Sequence, residues 1–176
     1  MDFQSVYDFW FKKCQPEDWF NKSDAFDEQV SALFTEVHRA AAQGELVHWR
    51  RYAQGALCEI IVLDQFSRNM FRDTPQAFAF DGLALCLAQH AIAKGFDQQL
   101  NEQERPFMYM PYMHSESKVI HQEAQRLFKP LANYEFEVAH KKIIDRFGRY
   151  PHRNAILGRH SSAEELAFLR EPGSSF

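Results

Sequence analysis

Cysteine pairs, long apolar runs and strand patterns are all scarce in this chain, and each shortage removes a class of protein. The three cysteines, Cys14, Cys58 and Cys86, are far apart and form no Cys-x-x-Cys pair. That spacing argues against a disulfide framework and fits a reduced, cytoplasmic setting. No apolar stretch approaches the ~20 residues of a membrane span, and Met1-Asp2-Phe3-Gln4 opens no basic leader, so we expect neither an anchor nor a signal peptide. Sustained apolar/polar alternation and Asn-Gly hairpin turns are missing, which leaves little room for a sheet. A net charge of −4 and a pI near 6.1 argue against a nucleic-acid or membrane-surface partner. There is no His-Glu-x-x-His, Gly-x-Ser-x-Gly, Walker loop or dinucleotide fingerprint, so no metal or other cofactor is expected.

Aromatic residues are plentiful: 17 phenylalanines sit among 176 residues, with 45% apolar content. One domain of that length buries roughly 70% of its unfolded surface and needs no staple. Helical periodicity dominates. Phe3, Val6, Tyr7, Trp10 and Phe11 form a first stripe, and a loop from Cys14 to Ser23 follows, carrying Trp19 and Phe20. Phe26, Val30, Leu33, Phe34, Val37 and Ala41 form a second stripe, closed by Gly44. A short helix covers Leu46 to Tyr52 and a strong one Ala53 to Phe71. Thr74-Pro75 reads as a helix start leading to Gly95. Asn101 with Glu104 and Ser162 with Glu165 fit capping boxes; Pro106 should distort the helix between them and Pro111 end it. Helices at Ser117–Phe128 and Asn133–Phe147 complete the pattern. We therefore expect an all-α array of about eight or nine antiparallel helices, a single domain over 1–170 and a loose tail over 171–176 in which Phe176 could dock.

Ionisable residues fall on apolar faces of three helices. Asp64 and Arg68, spaced for an i, i+4 ion pair, lie within the arc of Leu57, Ile60, Ile61, Met70 and Phe71, with Glu59, Gln65, Asn69 and Arg72 placed toward the opposite side. Asp81 shares a stripe with Phe78, Leu85, Ala88 and Ile92. His140 lies among Phe136, Ile143 and Phe147. A buried charge without a partner costs several kcal/mol, so these groups need one another, nearby arginines or a ligand.

The segment Arg146-Phe147-Gly148-Arg149-Tyr150-Pro151-His152-Arg153-Asn154 through Arg159-His160 holds four arginines, two histidines and no carboxylate. In an acidic chain that reads as a place for a small anion, phosphate or carboxylate. Asp64 with His140 is the candidate acid–base pair. Arg68, Asn69, Asp81, His114, Glu116, Arg146, Arg149, His152, Arg153, Asn154 and Arg159 are the candidate binding groups. Three readings stay open. One is a ligand pocket, enzymatic or not. Another is a binding module for an acidic peptide or protein partner. The last is a structural network in which Arg149, Arg153 and Arg159 pair with Asp64, Asp81 or Glu116, and exposed Trp19 and Phe20 then mark a homodimer contact.

Trp19-Phe20, Ala25-Phe26-Asp27, Leu63-Asp64-Gln65-Phe66-Ser67-Arg68-Asn69 and Tyr112-Met113-His114-Ser115-Glu116 together resemble the bacterial domain-of-unknown-function 924 family. So do His140 ahead of Ile143-Ile144, the Gly-Arg-Tyr-Pro-His-Arg-Asn segment and the ending Pro172-Gly173-Ser174-Ser175-Phe176. The resemblance implies an all-helical fold similar to tetratricopeptide-repeat arrays and no established activity. The ~34-residue repeat consensus does not lie onto this chain.

Overall fold

The computed structural model describes residues 2–175, so the docking of Phe176 lies outside the described residues. Helices make up every regular element, and no strand occurs among the described residues. The chain forms two compact units, Met1–Arg72 with Gln76–Pro111, and Asp73–Pro75 with Tyr112–Phe176.

The first unit begins with α1 (Gln4–Asp8), whose stripe continues into a wide π-turn, Phe9–Lys13. The expected loop after it contains a helix, α2 (Pro16–Phe20). Proline occupies its first position and the Asp18 carboxylate accepts the Gln15 N–H at 2.7 Å, so the start is both fixed in φ and capped. Trp19 is half-buried against the core. Its indole N–H donates to the Trp10 carbonyl at 3.1 Å, and its ring stacks on Trp10, while Phe20 is exposed.

Ser23 caps α3 (Asp24–Ala42), which buries Phe26, Val30, Phe34 and His38; Leu33, expected inside, faces solvent. After a 3-10 turn, Val47–Arg51, the chain enters α4 (Ala53–Ile61), a second wide turn (Val62–Phe66) and α5 (Ser67–Met70). Every residue from 55 to 67 is buried. A helix buried on all sides has no polar back, and for that reason Glu59 and Gln65 are interior and not on an outer face. Gly55 allows the helix to touch the preceding turn: a Cβ there would stand 2.2 Å from the Trp49 carbonyl oxygen.

The expected helix from Thr74 to Gly95 is divided into a 3-10 turn, Pro75–Phe78, and α6 (Asp81–Ala93). Ala84, Ala88 and Ala91 form its buried side, a phase rotated from the predicted stripe. In α7 (Arg105–Met113) Pro106 sits in the first turn, where a missing N–H costs nothing, and Pro111 lies inside the helix instead of ending it.

In the second unit Ser117 caps α8 (Lys118–Phe128), which packs on α9 (Tyr134–Phe147). Gly148 ends α9 in the left-handed region, φ 69°. A 3-10 turn, Pro151–Arg153, leads to α10 (Ala163–Phe168), whose Ser162/Glu165 capping box forms as expected. In the segment expected as a loose tail, Ser174 is buried and its hydroxyl donates to the Leu169 carbonyl. The helices run from 4 to 19 residues. No helix of the described residues is long and apolar enough to cross a membrane.

Candidate functional site

The sequence-derived candidates fall into both units, and each group is built from its own elements. In the first unit, Arg68 projects from α5 and holds both oxygens of Asp81, the first residue of α6, at 2.9 and 3.0 Å. The Asp64 carboxylate stands farther away at 3.3 Å, although the same guanidinium binds the Asp64 main-chain oxygen at 2.7 Å. The i, i+4 pair therefore forms as the weaker arm of a three-residue cluster. Gln65 donates to the other Asp64 oxygen at 2.5 Å. Asn69 donates to Asp27 on α3, and Arg72 grips that same carboxylate through two bonds. Bidentate forks of this kind fix geometry as well as charge.

Ser67 and His38 look at first like a nucleophile and base, with His38 Nε2 2.8 Å from Ser67 Oγ. Donor accounting says otherwise. The one hydroxyl hydrogen of Ser67 goes to the Leu63 carbonyl at 2.6 Å, so His38 Nε2 must be the donor to Oγ. Burial holds the His38 pKa below its ordinary value, in keeping with a neutral ring. The pair is built in the wrong direction to activate the hydroxyl.

In the second unit the arginine-rich turn recruits the carboxylates it lacks in sequence. Arg146 pairs with Glu164 at 2.9 Å. Arg149 forks onto Glu165 at 2.6 and 2.9 Å, and that contact, against a smaller opposing effect of burial, brings the Glu165 carboxyl down to about 2. Arg159 forks onto Glu116 at 2.6 and 2.9 Å. Burial pushes the Glu116 carboxyl up; Arg159 and the Tyr150 N–H, 2.7 Å away, outweigh it and leave the group below the usual range. Arg159 also donates to Asn154 Oδ1 and the Tyr150 carbonyl, while Asn154, fully buried, donates to Ser161. Glu116, Arg159 and Asn154 thus pin the turn from two sides, as the structural reading expects of Arg159 with Glu116.

The remaining candidates gather on the Tyr150 ring. The Arg153 guanidinium stacks 4.6 Å from its centroid and donates to the His114 carbonyl at 3.1 Å. The His140 ring stands 5.8 Å from Tyr150 in an edge-on arrangement and 6.4 Å from His114; His152 lies 5.6 Å from Tyr150. His140 Nδ1 meets the Phe136 carbonyl at 2.7 Å. A carbonyl can only accept, so Nδ1 carries the hydrogen and Nε2 the lone pair. Burial drives the His140 pKa from 6.5 to about 3; the Phe136 carbonyl opposes the shift and neighbouring His114, His121 and His152 add to it. His140 is buried as expected and so is Ile143; Glu137 and Ile144 are inside as well, while Phe136 is exposed.

Sequence reasoning passed over two residues that belong to this network, His121 and Glu137. Both are fully buried, with Nδ1 of His121 2.8 Å from Glu137 Oε1 and Nε2 2.9 Å from the Ser115 carbonyl. Tyr150 completes the group by donating to the Met113 carbonyl at 2.5 Å. The available signal was the seven-residue recurrence of Glu137 with Ile144 on one face of α9. Among the described residues, no three His, Cys, Asp or Glu side chains could hold a metal ion. A recess in the first unit, lined by Arg50, Glu59, His90 and Phe96, has a volume of about 10 Å³, room for roughly one water.

The chain is similar over 96% of its length to a structure described as a protein of unknown function, ATU0120, from Agrobacterium tumefaciens, with 40% identity, 96% of that chain covered and a TM-score of 0.92. No curated protein matches. A family model described as a bacterial protein of unknown function, DUF924, matches residues 6–173. At that coverage the chain belongs to the DUF924 family.

Proposed function

We propose that this DUF924 protein binds a small anionic ligand, a carboxylate or a phosphate, at the imidazole-rich face around Tyr150 in its second unit. The observation that carries the reading is the convergence of Arg153, His140 and His152 on one aromatic ring, with His114 against His140 behind it. Arg153 supplies the positive charge in a fixed orientation, and a stacked guanidinium keeps its planar donors for hydrogen bonding. His140 contributes no charge. At neutral pH its Nε2 serves as an acceptor, which suits a ligand that pairs an acidic group with a hydroxyl. Any turnover would use His140 as a base, and its low pKa makes it a weak one. Asp64, its partner in the acid–base reading, lies in the other unit.

Arg146, Arg149 and Arg159 are excluded from ligand recognition in this proposal, because each already holds a glutamate. The test is a thermal-shift and calorimetric screen with inorganic phosphate, acetate, citrate and small hydroxy acids. A ligand at 100 times its dissociation constant stabilises the protein by about 2.7 kcal/mol. We expect Arg153→Gln to abolish the shift and Arg146→Gln to preserve it. A screen without any saturable shift, or equal loss in both variants, rejects the proposal. The two-pronged Arg149–Glu165 and Arg159–Glu116 pairs favour a second reading, a purely structural network, and a screen without binding would leave that reading standing.

A further inference from the structure

The helix running from Ala53 to Met70 widens at Val62–Phe66 although no proline or glycine lies in or beside that turn. The other wide turn, Phe9–Lys13, is different in kind. It ends a helix, and the Cys14 N–H closes on the Phe9 carbonyl at 3.0 Å. Val62–Phe66 is internal and contains a fully buried carboxylate, Asp64, beside the buried amide of Gln65.

Side chains brace this turn at two successive main-chain oxygens. Ser67 Oγ donates to the Leu63 oxygen at 2.6 Å, and Arg68 Nη1 donates to the Asp64 oxygen at 2.7 Å. Each brace is itself held from another helix: His38 on α3 donates to Ser67, and Asp81 on α6 grips Arg68 with both oxygens. Four polar side chains from three helices therefore maintain one irregular turn. Stability does not account for that outlay. An ordinary α-turn satisfies its own backbone, and matched apolar residues often do as well as a buried ionic group or better. Internal π-turns, moreover, concentrate at functional positions.

We infer that the wide turn Val62–Phe66 is a positioning device for the Asp64 carboxylate, dispensable for the fold itself. A wide turn holds one residue more than an α-turn, so removing one residue restores a regular helix while the flanking stretches keep their faces. Removing a residue from a regular stretch instead rotates everything beyond it by about 100°.

The experiment compares deletion of Val62 with deletion of Leu57 in the full chain, by circular dichroism, thermal unfolding and carboxyl-carbon NMR of Asp64. Deletion of Val62 is expected to leave a folded protein with Tm within about 5 °C of the parent and a displaced Asp64 carboxyl signal. Deletion of Leu57 is expected to unfold the chain. If deletion of Val62 is as damaging as deletion of Leu57, the turn belongs to the fold and the inference fails. It fails equally if the Val62 deletion folds with the Asp64 signal unmoved. The outcome is independent of ligand binding at Tyr150.

Discussion

A single imidazole illustrates how burial decides chemistry. His140 is 6% exposed, and that burial, against the opposing pull of the Phe136 carbonyl, keeps the ring neutral down to a pKa of about 3. The sign of the resulting pH dependence follows from comparing the two states. Above pH 6.5 His140 is neutral in both, and its contribution to stability is fully present. Below that pH the unfolded chain takes up a proton that the folded chain refuses until about pH 3, so stability falls as pH falls through this window. At pH 4.5 the loss amounts to about 2.7 kcal/mol relative to pH 7, two pK units at 1.36 kcal/mol each. His140→Asn keeps a donor near the Nδ1 position and cannot titrate. Urea unfolding at pH 7 and pH 4.5 should show a smaller acid loss in the variant by roughly that amount. An unchanged difference would mean that other groups govern the slope. The ring's presence on an apolar face was visible in the sequence. Its neutrality was not, because that depends on burial by elements packed around it and on three other histidines brought in from separate segments, which together outweigh a carbonyl one turn back.

At the scale of elements, two helices show how position outweighs pattern. The run from Ala53 to Met70 carries an amphipathic signal good enough to place Asp64 and Arg68 inside, yet it is buried nearly all round, so Glu59 and Gln65 are inside as well. Glu59 is tolerated because Arg50, from the preceding 3-10 turn, covers it with bonds of 2.6 and 2.7 Å. That turn can approach only because residue 55 has no side chain. Gly55→Ala places a methyl group 2.2 Å from a main-chain oxygen that cannot rotate away. We expect a cost of about 2–3 kcal/mol, against the gain of up to 1 kcal/mol that alanine brings to an open helical site. Chemical denaturation of the variant measures it, and a stabilised variant would show that α4 can slide off Trp49. α2 was missed because its cap comes from an aspartate inside the first turn, answering the Gln15 N–H, and not from a residue ahead of the proline.

For the molecule as a whole, the charge pattern shapes the response to acid. Arg149 holds Glu165 down to about 2, and Arg159 with the Tyr150 N–H holds Glu116 below its ordinary range. Carboxylates lowered in this way add stability above pH 4.5 and lose it as pH falls through their folded values, the same direction as His140. Arg149→Gln should therefore raise the midpoint of acid unfolding, followed by tryptophan fluorescence, while Arg126→Gln, which removes an exposed pair on α8, should leave it nearly unchanged. Equal midpoints for the two variants would assign the acid response elsewhere. The sequence alone determined the helical class, through apolar spacing near 3.6 residues, and most helix ends, through caps such as Ser162 and Gly148, because these depend on a residue's nearest neighbours along the chain. It also marked the polar residues that had to be paired. Which groups pair was decided only by tertiary structure: Arg68 prefers Asp81 over Asp64, and the arginine-rich turn takes Glu116, Glu164 and Glu165 from either side. Ion pairing falls off over a few ångströms, and only the folded chain sets those distances.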